Sequence, residues 1–470
     1  MNIIHYSLGL PPYRTGGLTK YVMDLVDQQI KTGLNVTFLY PAEYTLFKKS
    51  IIKPDKAEKN YRVFKLLNPL PVPLLGGISK PKFFFEERLS NNFKEWLKNE
   101  NPDIIHIHTL MGLPKEFLVA CREVGITTIF TTHDYYGLCP KVNLLNNNNE
   151  ICLDYKNGVG CIECNRNSYS LEQIKVMQST FYRRFKNSEV IKQLRVKINK
   201  KFKENKSQLD NHKHQYNSNI KIKSSSEVNS RSTEYIKFRD YSKELLNLID
   251  GLHFNSSVAE KAFSRILKKS GKVINITHAG ISDNRAIKPS SDKVRLGFLG
   301  PLDSYKGFFY LLSILDKIKS EGFKNWMLNV YGGEPLSQDY DSQFYKFHGK
   351  YSHNHLKEIM SNIDILVIPS IWEETFGFIG LEALSYGVPI LVSEKAGVSD
   401  IVENNINGVI YTDLEKELRK FLNNPGIIDK LSINSISRKF ENDIRHHANE
   451  INDYYWEVKA LKFKQTGDFV

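Results

Sequence analysis

The chain has 470 residues, 41% of them hydrophobic and 25% charged, which is enough for two or three ordinary globular cores. A formal net charge of +13 suits anionic partners, and five cysteines are too few for a disulfide scaffold. No apolar run reaches the length of a membrane span, and MNIIHYSLGL lacks a charged region leading into an apolar core, so a cytoplasmic chain is the expectation.

Asn2–Tyr6 reads as a short apolar strand that runs into a loop ending in Gly16-Gly17. Tyr21, Val22, Leu25, Val26 and Ile30 fall at helical spacing and predict a helix from Leu18 to about Lys31. A glycine-rich loop between a first strand and a first helix lets backbone N–H groups approach a phosphate, although a Gly-Gly pair alone is usually just a turn. Val36–Tyr40 is a second strand. Leu66–Pro81, with four prolines, is a loop: a passive connector or part of an acceptor rim. Phe84–Glu100 reads as an amphipathic helix. In the strand Pro102–His108, His106 and His108 share one face, and a structural role near the strand end is favoured over a metal pair. Thr127–Thr132 is another strand and ends in His133-Asp134-Tyr135-Tyr136, where ligand contacts of a parallel sheet collect.

Cysteines follow at Cys139, Cys152, Cys161 and Cys164. The Cys-x2-Cys pair with two further thiols offers the four ligands of a structural zinc; four reduced thiols in a loop is the other reading. Arg166–Asp240 holds 18 Lys/Arg against 7 Asp/Glu, so nearly all of the net charge sits in this one segment. Helical spacing is expected over Leu171–Phe202, with a basic face (Arg183, Arg184, Lys186, Lys192, Lys197, Lys200, Lys201). That face is either solvated or docks on an anionic membrane surface or a lipid-linked acceptor. Glu204–Ser232 reads as a loop. Helices near Phe238–Ile249 and Val258–Leu267 and a strand at Asp250–Phe254 follow, and Val273–Thr277 closes the first half.

Val294–Leu299 opens a second α/β unit. Lys306-Gly307 precedes a helix, where a point charge and a helix N-terminus suit a diphosphate. Trp326–Tyr331 ends in Gly332-Gly333-Glu334. Asp339-Tyr-Asp341 lies in a polar loop and is taken as chance. A helix over about Ile444–Lys462 is expected to cross back onto the first unit.

Ile365–Ile401 is the most informative stretch. A buried strand, Ile365–Ile368, stops at Pro369-Ser370. A loop carries Trp372, Glu373, Glu374 and Thr375, and a helix runs from about Gly377 to Tyr386, with Gly387 as its stop. Glu374 and, eight positions later, Glu382 lie at the carboxyl end of this strand, and Glu382 is flanked by Leu381, Ala383 and Leu384. A buried carboxylate matches the paired donors of a sugar diol.

Glu374-x7-Glu382, framed by Pro-Ser, Phe-Gly and Gly-Val-Pro, resembles the signature of retaining glycosyltransferases of GT-B fold, glycosyltransferase family 4. His133-Asp134 and Gly16-Gly17 also match, and the cysteines resemble an insertion carried by one subgroup. The resemblance implies an α/β fold of two Rossmann-like domains facing across a cleft. An acceptor domain at 1–285 would include the cysteine cluster (139–164) and a basic helical and flexible insertion (165–240). A donor domain would follow at 290–443, then a C-terminal helix at 444–470. His133 would sit beside the transferred sugar, Glu374 would hold sugar hydroxyls, Lys306 the diphosphate, and Glu382 the ribose. Gly16, Gly17, Gly333, Phe376 and Gly377 would line the donor site. Catalysis needs no cofactor in this reading, and nucleic acid is not a partner.

The same resemblance implies a hexosyltransferase that takes a nucleotide sugar, by family habit a UDP sugar, and a glycan or lipid-linked acceptor. It would work in surface polysaccharide synthesis, in the cytoplasm or on the inner face of the plasma membrane. The family's usual arginine is replaced by Pro301, and His278-Ala-Gly stands where an Asn-Gly turn is usual. A nucleotide-sugar hydrolase or epimerase and a noncatalytic subunit are the alternatives.

Overall fold

A computed structural model of the chain describes residues 1–46, 49–57, 59–88, 92–185, 188, 225–288, 292–333 and 340–466. Two sheets organise them. The first takes the strands β1 (Asn2–Tyr6), β2 (Asn35–Pro41), β3 (Ile51–Pro54), β4 (Arg62–Leu67), β5 (Ile104–Ile107), β6 (Thr127–Thr131), β7 (Gly251–Phe254) and β8 (Lys272–Val273). Their spatial order is β3-β4-β2-β1-β5-β6-β7-β8, parallel except for the edge pair β3/β4. The second sheet is wholly parallel, ordered β11-β10-β9-β12-β13-β14. Its strands are β9 (Val294–Leu299), β10 (Trp326–Tyr331), β11 (Tyr345–Phe347), β12 (Ile365–Ile368), β13 (Ile390–Ser393) and β14 (Gly408–Tyr411).

Central strands such as β5, β12 and β13 are buried at every position, and this explains their unbroken apolar runs: helices cover both faces of a parallel sheet. One face of the first sheet packs on Tyr21, Val22 and Leu25 of the first helix, Gly17–Lys31, and on Ala448, Ile451 and Tyr455 of the C-terminal helix, Ile444–Thr466. That last helix is fastened to the first sheet by Tyr454 Oη donating to Leu252 O at 2.8 Å and by ion pairs of Lys459 with Asp103 and Lys462 with Asp250.

Three expectations need correction. The helix read over Phe84–Glu100 is only Asn92–Glu100. A 3-10 turn at Pro81–Phe84 precedes it, and Phe84 is buried with its ring edge-on to Phe238, so its apolar spacing reflects an irregular segment tucked into the core. The helix read over Leu171–Phe202 is broken: Leu171–Gln178 and Thr180–Phe185 are separated by the extended Ser179. Residues 186–202, apart from Ser188, lie outside the described residues, and with them most of the basic face. The segment read as a loop to Ser232 is helical from Ser225, in a helix that runs to Leu248. Its backbone packs so closely on Gly158 that a Cβ there would lie 2.3 Å from Ser232 O.

Candidate functional site

The carboxyl ends of β12 and β6 meet. The loop after β12 leans on the His133-Asp134-Tyr135 turn after β6: Thr375 Oγ1 donates to His133 O at 3.0 Å and Tyr135 Oη to Glu373 O at 2.8 Å. Ser256 Oγ, from the N-cap of the helix Ser257–Ser264, donates to Thr375 O at 2.5 Å, and Arg265 pairs with Glu373. The loop bearing Glu374 is therefore held from both sheets.

Glu374 is 7% exposed. Its Oε1 is 2.5 Å from Lys306 Nζ, and its Oε2 accepts from Ser370 Oγ at 2.7 Å. The carboxylate keeps acceptor capacity beyond these two contacts. Backbone geometry sets the pair. Gly307, at φ +75°, turns the chain after Lys306 so tightly that a Cβ would lie 1.7 Å from Pro369 O. Gly377, at φ +106°, starts the helix Phe378–Ser385 where a Cβ would come within 3.3 Å of Glu374 Oε1. The first turn of that helix leaves backbone N–H groups without helical partners, a fitting end for an anion.

Glu382 lies inside this helix, 2% exposed. His278 Nε2 is 3.0 Å from its Oε1, and His353 Nδ1 is 3.2 Å from the same oxygen. His278 Nδ1 accepts the Gly280 N–H at 3.1 Å, which leaves Nε2 to donate to the carboxylate. The His278 that departs from the usual turn is thus a buried partner of Glu382. Of the two histidines, only His353 has a largely exposed side chain, at 55%.

His133 is half-buried and its ring meets His108, not Glu374. Burial depresses its pKa to about 3. Burial also raises Asp134 to about 6, partly offset by the Tyr136 N–H it accepts. Gly16 caps the first helix. Gly17 faces Phe378 across the domains, where a Cβ would be 3.4 Å from the ring. Phe376 is buried, and its carbonyl accepts from Val398 N at 2.7 Å. Gly333 lies just after β10, beside Leu302; Glu334 and Asp339 lie outside the described residues, and Asp341 pairs with Lys319.

The structure therefore brings Lys306, Ser370 and Glu374 together, and Glu382 with His278 and His353. Reading the sequence missed Ser370, Thr375, Ser256 and His353. Ser370 carried one signal, its place four residues before Glu374 directly after a strand; His353 carried none.

Of the four clustered cysteines, Cys139 follows the His133-Asp134-Tyr135 turn directly and donates its N–H to Tyr135 O at 2.9 Å. Cys161 and Cys164 share the short helix Val159–Cys164. Cys161 Sγ takes the Arg239 guanidinium at 3.5 Å, and burial, opposed by that cation, moves its pKa up to about 11. No three of the four sulfurs lie within 4.8 Å of one another, against roughly 3.8 Å for thiolates on one tetrahedral zinc.

Two family models match the chain: Glycosyltransferase Family 4 over residues 15–150 and Glycosyl transferases group 1 over residues 281–438. An uncharacterized glycosyltransferase of Methanocaldococcus jannaschii is 29% identical over 137 residues, 27% of this chain and 34% of that protein. An uncharacterized 42.6 kDa protein in the cps region of Klebsiella pneumoniae is 22% identical over 85% of this chain and 87% of its own length. The match spans about a third of the first curated relatives. Among solved structures, the Anabaena HepE protein in complex with UDP superposes with a TM-score of 0.53 at 13% identity, covering 97% of this chain and 100% of that one. A lipopolysaccharide outer core galactosyltransferase, WaaB, gives 0.53 at 13% identity, covering 97% and 99%.

Proposed function

We propose that this chain, of GT-B fold and matched in its first half and again in its second by glycosyltransferase family models, is a glycosyltransferase that moves a sugar from a nucleotide sugar to a hydroxyl of a glycan or lipid-linked acceptor, with retention at the anomeric carbon. The observation that carries this reading is the pair of buried carboxylates bracketing one helix N-terminus, Glu374 with Lys306 and Glu382 with His278. On binding, the sugar hydroxyls hydrogen-bond to Glu374. The diphosphate takes the Lys306 charge and the free N–H groups of the helix Phe378–Ser385. Glu382 receives the two ribose hydroxyls, displacing the exposed His353. Transfer then rests on positioning and on stabilising the leaving diphosphate. With Pro301 where the family has arginine, Lys306 is the cation that this loop supplies.

The UDP in the HepE complex makes uridine diphosphate sugars the first donors to test. Incubated with UDP sugars and a set of glycan acceptors, the protein is expected to release UDP only when an acceptor is present. The anomeric proton coupling of the product should match that of the donor. Release of UDP without acceptor would instead mark a hydrolase, and inversion would remove the retaining assignment.

Two further proposals concern the insertion. Exposed Val176, Phe181 and Phe185 beside Arg184 suit contact with an anionic lipid surface; among the described residues no helix is long and apolar enough to cross a membrane. Zinc in the cysteine loop requires the four sulfurs to draw together around it. Metal analysis of protein purified without chelator is expected to give one zinc per chain, lost in the Cys161→Ser, Cys164→Ser double variant; a metal-free wild type removes the idea.

A further inference from the structure

Beneath His133 lies a buried polar network. His5 on β1, His106 on β5, Thr131 on β6 and His253 on β7 stand side by side on one face of the first sheet, the registers pairing His5 with His106 and Thr131 with His253. Gln29 of the first helix and Tyr455 of the C-terminal helix close over them, and His108 continues past the end of β5 towards His133. Nitrogens of His5, His106 and His108 lie within 4.8 Å of one another. Both ring nitrogens of each are already engaged by neighbours, so the cluster reads as a hydrogen-bond chain in place of a metal site.

The direction of that chain can be worked out, because one end is a backbone carbonyl, which only accepts. Burial lowers the pKa of each of these histidines, so each ring is neutral, with one donor and one acceptor nitrogen. His253 Nε2, 2.8 Å from Ile274 O, must carry its proton. Its Nδ1 then accepts from the Thr131 hydroxyl at 2.7 Å, and Thr131 Oγ1 accepts from His106 Nε2–H at 2.6 Å. His106 Nδ1 accepts from the Tyr455 hydroxyl at 2.7 Å, whose oxygen takes the Gln29 amide N–H at 3.2 Å. This turns the Gln29 carbonyl to His5 Nε2–H at 2.8 Å, an orientation that the Gln29 Nε2 bond to Asn452 Oδ1 at 3.0 Å also supports. His5 Nδ1 accepts from His108 Nε2–H at 2.9 Å, and His108 Nδ1 from His133 Nε2–H at 3.4 Å.

We infer that this chain, anchored at the Ile274 carbonyl, locks His133 in the Nε2–H tautomer with a bare Nδ1. Through Gln29 and Tyr455 it also makes the C-terminal helix a positioning element for the site. Within the proposed transfer reaction, a bare Nδ1 accepts a hydrogen bond from a sugar hydroxyl and offers nothing to a phosphate oxygen, so His133 reads the sugar and the diphosphate is left to the second domain. His5, His108, Gln29 and Tyr455 are positioning residues.

The test is the ring tautomer itself, read without substrate by long-range 1H–15N correlation on 15N-histidine-labelled full-length protein, with His133 assigned by its loss in His133→Gln. Wild type is expected to show His133 neutral and protonated on Nε2 between pH 6.5 and 8. Gln29→Leu and Tyr455→Phe each remove a link. The His133 signal should then report both tautomers, and kcat/KM for the nucleotide sugar should fall about tenfold, the worth of one hydrogen bond, with binding of the nucleoside diphosphate alone unchanged. His133 protonated on Nδ1 in wild type overturns the inference whether or not the variants fold, and so does an unchanged tautomer in both folded variants. A protein that transfers no sugar still gives this spectrum, so failure of the transfer reading is seen separately.

Discussion

Glu382→Ala is expected to abolish detectable transfer and to weaken nucleotide-sugar binding by about a hundredfold or more, from two charge-assisted hydrogen bonds to a diol at roughly 1.5–3 kcal/mol each. The residue is buried, and in the free protein its Oε1 is met by His278 and His353. Truncation also leaves the buried His278 Nε2–H without its acceptor, a cost to folding of about 1–3 kcal/mol. Glu382→Gln separates the two effects: it keeps shape and one acceptor oxygen, so stability should be nearly retained while donor affinity still drops. Calorimetric titration and thermal melting of both variants check this. A Glu382→Ala protein that transfers at the wild-type rate would remove Glu382 from the donor site.

Acid should destabilise the protein steeply below pH 6.5. His5 and His253 are fully buried, and burial holds both near pKa 4, against 6.5 when exposed. A histidine depressed on folding lends stability that is complete above its unfolded pKa and lost as pH falls towards the folded value. At pH 5 the unfolded chain binds a proton at each position and the folded chain does not, which costs about 2 kcal/mol per residue. His106, His108, His133 and His447 are pushed the same way by burial. Asp134 works oppositely, since a carboxyl raised to about 6 is relieved by acid, but it is one group against six. His5 and His253 alone thus cost about 4 kcal/mol at pH 5, and the other histidines add in the same direction, a large part of the roughly 5–15 kcal/mol that holds a typical fold. Thermal melts from pH 7.5 to 5 should show a steep fall below pH 6.5; a melting temperature that stays level would mean that these rings are not all buried and neutral.

The fold was legible in the sequence because parallel sheets write themselves as short apolar runs closed by Pro or Gly, as Ile365–Ile368 and its Pro369 do. Glu374 and Glu382 were singled out because they fall at one strand end within a stretch that resembles a family signature. The histidine chain was not. His5 and His253 are separated by most of the first half and become neighbours only through the strand order β1-β5-β6-β7; the His106-x-His108 spacing showed one face of it and nothing of its partners. Phe84 misled because apolar spacing does not tell a helix face from an irregular segment tucked into a core. The Ser225–Ser232 turns misled because their polar composition hid a backbone contact with Gly158.

The central claim is that the cleft between β6 and β12 binds a nucleotide sugar through Glu374, Lys306 and Glu382. Its most direct test is a thermal-shift titration of wild-type protein against a panel of nucleotide sugars and nucleoside diphosphates, repeated with Glu382→Gln. A saturable rise in melting temperature with one nucleotide class, UDP first, is expected, and it should be lost or strongly reduced in the variant. A folded protein whose melting temperature responds to no nucleotide sugar would contradict it and point to a noncatalytic subunit.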